Sequence, residues 1–166
     1  VTAFGNAPLY LLEPINESDR WLSQRLYSGD GEHRVAQELL LGVGGVRILR
    51  ALGLGVKLYH FNEGHALFAG LELISEAMGR GRSFAEARRE VKEQVVFTTH
   101  TPVPAGNEVH SLDCLFRQGA DLDRLSREQL VELGGDPFEM TPAALRLSRQ
   151  ANAVAELHGA TAQRMW

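Results

Sequence analysis

Cysteine is almost absent from the sequence, since Cys114 is the one thiol in 166 residues. A single cysteine cannot form an internal disulfide, so a fold held together by disulfides is excluded and a reducing compartment is expected. The sequence also has no apolar run near the ~20 residues that span a bilayer, and it opens with no secretory signal pattern. We therefore expect a cytoplasmic protein that has no membrane partner.

A strong charge of either sign is also missing. Lys and Arg number 17 against 21 Asp and Glu, which gives a formal net charge of −4. Without a basic cluster, this mild acidity argues against binding to nucleic acid through its phosphates. Internal repeats, low-complexity tracts and Pro/Ser-rich linkers are missing too. The remaining composition, 44% hydrophobic and 23% charged, is that of a globular chain of one domain.

Several motifs of well-known enzyme classes are not found. There is no Gly-x-Ser-x-Gly nucleophile elbow and no phosphate-loop lysine. Residues 42–45, Gly-Val-Gly-Gly, resemble a dinucleotide-binding loop, but Arg47 stands where that motif needs glycine. Residues 35–52 otherwise have a helical pattern, so we interpret these glycines as sites of close packing against a neighbour. Cys114 has no activating pattern nearby, which predicts an inert thiol.

Strands and helices are predicted to alternate along the chain. Three short apolar runs, rich in β-branched and aromatic residues, predict strands at residues 9–12, 56–61 and 95–99. Apolar residues at helical spacing predict a helix from Leu67 to Met78 that ends at Gly79. Capping boxes or a first-turn proline mark further helix starts at Ser83, Ser126 and Thr141. Residues 153–157 favour a helix by propensity, with a fourth strand as the alternative. This order predicts an α/β fold with a mainly parallel sheet flanked by helices.

Two predicted strands end in polar segments. Residues 62–65, Asn-Glu-Gly-His, follow the second strand, and residues 100–108 follow the third. Ligands of parallel sheets bind outside the carboxyl ends of the strands, so Glu63, His65 and His100 should converge on one cleft. Prolines stiffen the second segment, and fixed carbonyls beside a carboxylate and imidazoles suit a polyhydroxylated ligand. Taken singly, a histidine at a strand end is more often a structural hydrogen-bonding group.

A metal site is a weaker alternative at the same strand ends, formed by His60, Glu63, His65 and His100. The first three of these lack the i, i+4 histidine spacing of a helical zinc motif. Strand alternation also points His60 and Phe61 to opposite faces. We therefore predict no metal ligands in this chain.

Longer motifs resemble one enzyme family, the α-glucan (glycogen, starch and maltodextrin) phosphorylases, and most closely its bacterial branch. The first motif is Tyr-His-Phe-Asn-Glu-Gly-His-Ala at residues 59–66, and the second is Phe-Thr-Thr-His-Thr-Pro-Val-Pro-Ala-Gly at residues 97–106. Other segments that resemble the family, in the same order along the chain, are residues 19–38, 41–47, 157–159 and 164–166. The resemblance therefore extends over nearly the whole chain.

The resemblance implies a GT-B glycosyltransferase, with residues 1–166 as a partial domain, an internal fragment of the Rossmann-like N-terminal domain. The C-terminal domain with the pyridoxal phosphate (PLP) lysine motif is then absent, and a chain that begins at Val1 rather than Met agrees with a fragment. The family transfers terminal α-1,4-linked glucose from glycogen or maltodextrin to inorganic phosphate, giving α-glucose 1-phosphate, with PLP as cofactor. The fragment alone is expected to be inactive, and its open sheet edge to favour self-association into homo-oligomers.

Matching motifs also imply roles for single residues. His100 is expected to be catalytic, because its backbone carbonyl meets the glucosyl 6-hydroxyl close to the developing positive charge. The residues expected to bind substrate with it are Asn62, Glu63, His65 and Thr101. The loop expected to gate access to the site includes Ser28, Gly29 and Asp30. No residue of this chain is expected to bind the cofactor.

The resemblance also favours a strand at residues 153–157, against their helix propensity. Departures from the family pattern occur at Ala153, Glu156, Ala160 and Thr161. A non-catalytic carbohydrate-binding or scaffolding module of the same fold is the alternative function. A nucleotide-sugar glucosyltransferase such as a glycogen synthase is a further one, and the loop that begins at His100 argues against it.

Overall fold

The computed structural model of the protein describes residues 8–25, 31–101 and 107–166. Its helices are α1 Gly31–Ala51, α2 Leu67–Gly79, α3 Phe84–Gln94, α4 Leu112–Arg117, α5 Arg127–Gly134, α6 Met140–Arg146 and α7 Glu156–Met165. Its strands are β1 Tyr59–Asn62, β2 Val95–Thr99, β3 Val109–His110, β4 Phe138–Glu139 and β5 Gln150–Ala153. Two 3₁₀ helices lie at Glu17–Ser23 and Gly64–Ala66. In these parts of the chain, every helix is too short or too polar to cross a membrane.

β1, β2 and β5 form a parallel three-stranded sheet with β2 in the centre. Phe97 of β2 lies beside Phe61 of β1 and Ala151 of β5, and both phenylalanines are buried in the core. Parallel neighbours need a crossover connection, and α2 with α3 provides it between β1 and β2. β3 and β4 form a separate antiparallel pair. The predicted α/β class, with a parallel sheet flanked by helices, is confirmed.

The predicted strand at residues 9–12 is wrong. This stretch has no regular secondary structure, and Leu9 and Leu11 are each 81% exposed. An apolar run becomes a strand only when a neighbouring strand completes its hydrogen bonds. The sheet is instead completed by β5, whose sequence Gln-Ala-Asn-Ala has little strand propensity of its own.

The other two predicted strands are present, and both boundaries of the first of them change. The strand predicted at residues 95–99 coincides with β2. The strand predicted at residues 56–61 begins only at Tyr59, where pairing with Val95 starts, and extends to Asn62. Pairing with the neighbour therefore sets the start of β1, whereas the apolar run alone would place it three residues earlier.

Residues 153–157 are divided between a strand and a helix, so both predictions for them are partly wrong. β5 ends at Ala153, which pairs with Thr99, and α7 begins at Glu156. The strand predicted from the family resemblance therefore lies mostly earlier in the chain. The helix predicted from propensity begins only after the last strand pair.

Both predicted capping boxes are confirmed. Glu86 N–H donates to Ser83 Oγ at 3.4 Å, and Ser83 N–H donates to the Glu86 carboxylate at 2.9 Å. Ser126 and Gln129 make the same pair of bonds at the start of α5. Each box satisfies two backbone N–H groups that the helix itself leaves without a partner.

Two predicted helix ends shift by one or two residues. α6 begins at Met140, and the Thr141 hydroxyl donates to the Asn107 side chain at 3.2 Å instead of capping the helix. α2 includes Gly79, and the left-handed glycine that follows it is Gly81, with φ 91°. The shift at the end of α2 arises because a second glycine lies close to the predicted one, whereas α6 begins without a side-chain cap.

Gly42 lies where α1 packs against α2. A Cβ at this position would lie 2.5 Å from the Ala69 nitrogen and 2.8 Å from the Phe68 carbonyl carbon. Since real Cβ atoms essentially never approach so closely, only glycine allows this contact. The packing role predicted for the glycines is confirmed here, whereas Gly45 would meet nothing within 4 Å.

Candidate functional site

The polar segments that follow β1 and β2 lie side by side. Parallel pairing sets Asn62 opposite Thr98, and the Glu63 N–H donates to the Thr98 carbonyl at 2.9 Å. Because parallel strands run in the same direction, both segments leave the sheet at the same edge. The turn at residues 62–65 is therefore a neighbour of His100.

The Glu63 carboxylate joins these two segments. Its Oε1 accepts the Thr101 N–H at 2.7 Å and the Thr99 hydroxyl at 3.3 Å, and it also accepts the His100 N–H. The backbone of Glu63 has φ 69° and ψ 178°, a conformation almost restricted to glycine. The hydrogen bonds made by the Glu63 side chain therefore stabilise a turn whose backbone is strained at Glu63.

His65 lies against a buried group of charges supplied by α1 and by the chain before β3. Its Nδ1 is 3.0 Å from Glu38 Oε1 and 3.8 Å from Glu108 Oε2. The Arg34 guanidinium donates to Glu108 at 3.0 Å and to Glu38 at 3.4 Å. Glu38 is only 3% exposed, and a carboxylate so deeply buried is tolerated only when such partners compensate its charge.

Burial and close contact shift the pKa values in this group. Hydrogen bonds to Glu108 and Glu38 raise the pKa of His65 to about 9. Burial raises the pKa of Glu38 to about 7, and Glu108 adds to this while His65 and Arg34 oppose it. Burial acts to raise the pKa of Glu108 as well, but hydrogen bonds with His65, Glu38 and Arg34 outweigh it and hold that pKa far below its usual range. At neutral pH His65 is therefore an imidazolium ion beside an ionised Glu108.

Three buried atoms of this group have no hydrogen-bond partner among the described residues, namely Glu38 Oε2, Glu108 Oε2 and His110 Nε2. The ring nitrogen lies 4.0 Å from the Glu38 oxygen and 3.9 Å from the Glu108 oxygen. Burial lowers the pKa of His110. Both distances are too long for a direct hydrogen bond, so these three atoms form a buried polar group without direct bonds among them.

Four residues of this group are not found by sequence reasoning, namely Arg34, Glu38, Glu108 and His110. The sequence contains one indication of this group. Glu38 lies on the buried face of α1, between Val35 and Gly42. A charged residue at a buried position requires a partner. That partner cannot be read from a local pattern, since Arg34 and Glu108 are 74 residues apart.

A cavity of about 560 Å³ lies beside β1 and the N-terminal half of α1. Asn62 and His65 form part of its lining, and so do Arg34 and Glu38. Small-molecule sites in proteins have volumes in this range. The cavity therefore joins two of the predicted substrate-binding residues to the buried charges.

His100 and Thr101 do not line this cavity in the described part of the chain. His100 is exposed and Thr101 is partly buried. Thr99, just before them, lines a second cavity of about 360 Å³ with Asn152 and Trp166, at the ends of β2 and β5. The residues predicted to form a gating loop, Ser28, Gly29 and Asp30, lie outside the described residues.

The alternative metal ligands His60, Glu63, His65 and His100 do not form a cluster. His60 Nε2 lies 2.7 Å from Thr98 Oγ1, and Glu63 binds backbone N–H groups. Among the described residues, the group with metal-ligand spacing is Glu38, His65 and Glu108. Arg34 already lies against both carboxylates of that group and compensates their charge.

The chain offers no lysine at this site for an aldehyde cofactor such as PLP. Its sequence has two lysines, Lys57 and Lys92, and both are exposed. Lys57 precedes β1, and Lys92 precedes β2 near the end of α3. Both lysines therefore lie before the strands, whereas the polar site lies after their carboxyl ends.

The fold and these residues define an α/β protein with a polar edge on a parallel sheet. The chain is 42% identical over 189 residues to glycogen phosphorylase of Mycobacterium tuberculosis, and 40% identical over 169 residues to maltodextrin phosphorylase of Thermococcus litoralis. It is also 31% identical over 175 residues to glycogen phosphorylase of Aquifex aeolicus. These alignments cover 98–100% of this chain. No protein-family model matches the chain.

The three alignments identify the chain as a homologue of the glycogen and maltodextrin phosphorylases, as its motifs indicate. The chain spans 20–25% of the length of these relatives. The similarity therefore concerns one segment of those proteins, and that segment includes both strand ends described above.

Proposed function

We propose that this chain is part of an α-glucan phosphorylase and forms one wall of its glucosyl site. The complete enzyme would remove terminal α-1,4-linked glucose from glycogen or maltodextrin with inorganic phosphate and release α-glucose 1-phosphate. Similarity over the whole chain to proteins named glycogen phosphorylase and maltodextrin phosphorylase supports this reaction. The observation that carries the proposal is the joining of residues 62–65 to His100 and Thr101 by Glu63.

The proposed architecture is a GT-B glycosyltransferase in which residues 1–166 are one partial, Rossmann-like domain. Three parallel strands joined through helices support this assignment. The sole cysteine, Cys114, is buried in α4, which agrees with the proposed cytoplasmic location. Homo-oligomer formation is part of the same proposal.

His100 is the proposed catalytic residue, through its backbone carbonyl at the end of β2. Positive charge develops on the glucosyl ring when the glycosidic bond breaks. A carbonyl dipole that is fixed before the reaction stabilises this charge without having to reorient. Thr101, held by Glu63 at 2.7 Å, forms the next part of the same wall.

Asn62 and His65 are the proposed substrate-binding side chains of the adjoining turn, and Glu63 lies between them in the chain. Asn62 and His65 line the 560 Å³ cavity, where a sugar hydroxyl finds both donors and acceptors. The raised pKa of His65, about 9, makes it a charged donor at neutral pH. The segment of Ser28, Gly29 and Asp30 is proposed to gate this cavity on motif resemblance alone.

The proposed cofactor of the complete enzyme is PLP, whose 5′-phosphate supplies acid–base catalysis when bound. Lys57 and Lys92 both lie before the strands, so we propose no cofactor attachment within this chain. Its own residues would instead bind and orient the glucosyl unit and separate it from water. On this basis the 166-residue chain alone should release no glucose 1-phosphate from maltodextrin and phosphate.

The proposal is tested with the complete gene product that contains this chain. We expect it to release α-glucose 1-phosphate from maltodextrin and phosphate. Asn62→Ala should lower kcat/KM by about 10-fold, because it removes hydrogen bonds to the sugar. The matched control is Glu90→Gln, a surface change in α3 that should have no effect. A folded, PLP-loaded wild-type protein that forms no glucose 1-phosphate would contradict the proposal.

A non-catalytic carbohydrate-binding module is the second candidate function. It is favoured by a site that has a cavity and polar groups but no lysine nearby. In that case the 166-residue chain binds maltose in ligand-detected NMR, Asn62→Ala weakens the binding, and the complete gene product shows no turnover.

A further inference from the structure

Glu63 makes hydrogen bonds to four successive residues at the end of the neighbouring strand. Its backbone N–H donates to the Thr98 carbonyl at 2.9 Å. Its Oε1 accepts from the Thr99 hydroxyl, the His100 N–H and the Thr101 N–H. A single carboxylate oxygen therefore fixes the segment in which the proposed catalytic carbonyl lies.

The backbone of Glu63 is itself strained. Its φ of 69° and ψ of 178° fall in a region that residues other than glycine almost never adopt. Such a conformation is unfavourable and persists only where surrounding contacts impose it. The side chain of Glu63 makes those contacts, so the strain and the carboxylate bonds are parts of one arrangement.

The direction of the His100 carbonyl follows from these bonds. In a trans peptide the C=O of one residue and the N–H of the next point in opposite directions. Because the Thr101 N–H points to Glu63, the His100 C=O points away from it. The two successive N–H groups of His100 and Thr101 therefore both donate to the same carboxylate oxygen of Glu63.

The charge of Glu63 also acts on this peptide. A hydrogen bond from a peptide N–H to a carboxylate is charge-assisted and polarises the peptide. Polarisation places more negative charge on the His100 carbonyl oxygen. Such an oxygen stabilises a developing positive charge better than an unpolarised one.

We propose that Glu63 is a positioning residue that acts through the backbone carbonyl of His100, with no sugar contact through its Oε1. The inference rests on the proposed phosphorylase function. The carboxylate sets the direction of the carbonyl, and its charge strengthens the carbonyl dipole. Glu63 should therefore affect the chemical step more than the binding of glucan.

The test uses Glu63→Gly and Glu63→Gln in the complete gene product. Glycine adopts this backbone conformation without strain, so Glu63→Gly removes the carboxylate while preserving the turn. Glutamine keeps an oxygen acceptor but loses the charge. Glu90→Gln is the matched control, because it removes a carboxylate that pairs with Arg80 at the surface.

Two readouts separate positioning from a structural role. Hydrogen exchange of the His100 and Thr101 amides should become at least about 10-fold faster in Glu63→Gly and change less in Glu63→Gln. The kcat should fall about 10- to 100-fold in Glu63→Gly while KM for maltodextrin changes by less than about threefold. Glu63→Gln should lie between this variant and the wild type.

Each alternative outcome contradicts the inference in a distinct way. A raised KM with unchanged kcat would make Glu63 a direct substrate ligand. Unchanged kcat with faster amide exchange would limit Glu63 to a structural role, and unchanged exchange would remove the hydrogen bonds themselves. A wild-type protein without phosphorolysis would reject the proposed function and the catalytic role with it, while amide exchange would still report whether Glu63 holds these amides.

Discussion

Glu38 illustrates at the residue scale how a buried charge is stabilised. It is 3% exposed in the buried stripe of α1, and its partners come from three separate segments of the chain. His65 and Arg34 supply positive charge, while Glu108 adds a second carboxylate. Because these contacts shift pKa values in the folded state, the stability of the fold depends on pH.

We predict that the free energy of unfolding decreases as pH rises from about 5 to 9. Glu38 and His65 both have raised pKa values in the folded protein, from 4.5 to about 7 and from 6.5 to about 9. The contribution of His65 is complete below pH 6.5 and is lost as pH rises through about 9. The folded state therefore binds more protons at Glu38 and His65 over this range, whereas His110, whose pKa is lowered, opposes them below pH 6.5. Urea denaturation should show a net decrease of about 1–2 kcal/mol, with partial exposure of His65 screening its share.

Glu108 should act in the opposite direction in acid. Its pKa is lowered in the folded state, so its contribution to the free energy of unfolding is present above pH 4.5 and is lost as pH falls below that value.

Glu38→Gln is the control for the predicted decrease in stability with rising pH, because this variant cannot titrate at that position. An unchanged pH slope between pH 5 and 7 in Glu38→Gln would assign the effect to other groups.

At the scale of secondary-structure elements, the main feature is the close packing of α1 against α2. α1 contacts α2 through Gly42, where a side chain would collide with the backbone of the neighbouring helix. Gly45 lies one turn away in the same helix and has open space around it. A comparison of substitutions at the two glycines therefore distinguishes the effect of helix propensity from the effect of packing within one helix.

Gly42→Ala should destabilise the protein, although alanine favours helices. The added Cβ would lie 2.5 Å from the Ala69 nitrogen, and such overpacking costs about 1–3 kcal/mol. Gly45→Ala should instead stabilise the protein by about 0.5–1 kcal/mol, because nothing opposes the gain in helix propensity. Thermal unfolding of both variants checks the difference, and equal effects at the two positions would contradict it.

Sequence patterns predict the elements best where the determining interactions are local. The capping boxes at Ser83 and Ser126 involve residues three positions apart, and both are present. β2 is an apolar, β-branched run that is buried at the centre of the sheet. β5 has no such run, and its pairing with a strand 54 residues away, as between Asn152 and Thr98, makes it a strand.

At the scale of the whole molecule, apolar surface is concentrated near both ends of the chain. Leu9, Leu11 and Ile15 are 81–95% exposed, and Leu157 is 80% exposed. β1 and β5 are the edge strands of the three-stranded sheet. Apolar surface and unpaired strand edges both favour association between chains.

We therefore predict that the 166-residue chain self-associates in solution. Light scattering should give a mass well above 18.3 kDa that increases with concentration. The double variant Leu9→Lys/Leu11→Lys should lower the mass, because it places two charges in the exposed apolar segment. Leu54→Lys, at an exposed leucine outside that segment, is the control, and a monodisperse wild-type monomer would contradict the prediction.

The sequence by itself determined the α/β class, the capping boxes, the central strand and the two motifs that resemble phosphorylases. These features depend on residues close together in the chain, so their physics is contained in short patterns. Tertiary structure alone decided the third strand, the partners of Glu38 and the attachment of Glu63 to His100 and Thr101. Apart from Arg34, which is four positions from Glu38, those contacts join residues 27 or more positions apart, and no local pattern fixes which distant group completes a buried hydrogen bond.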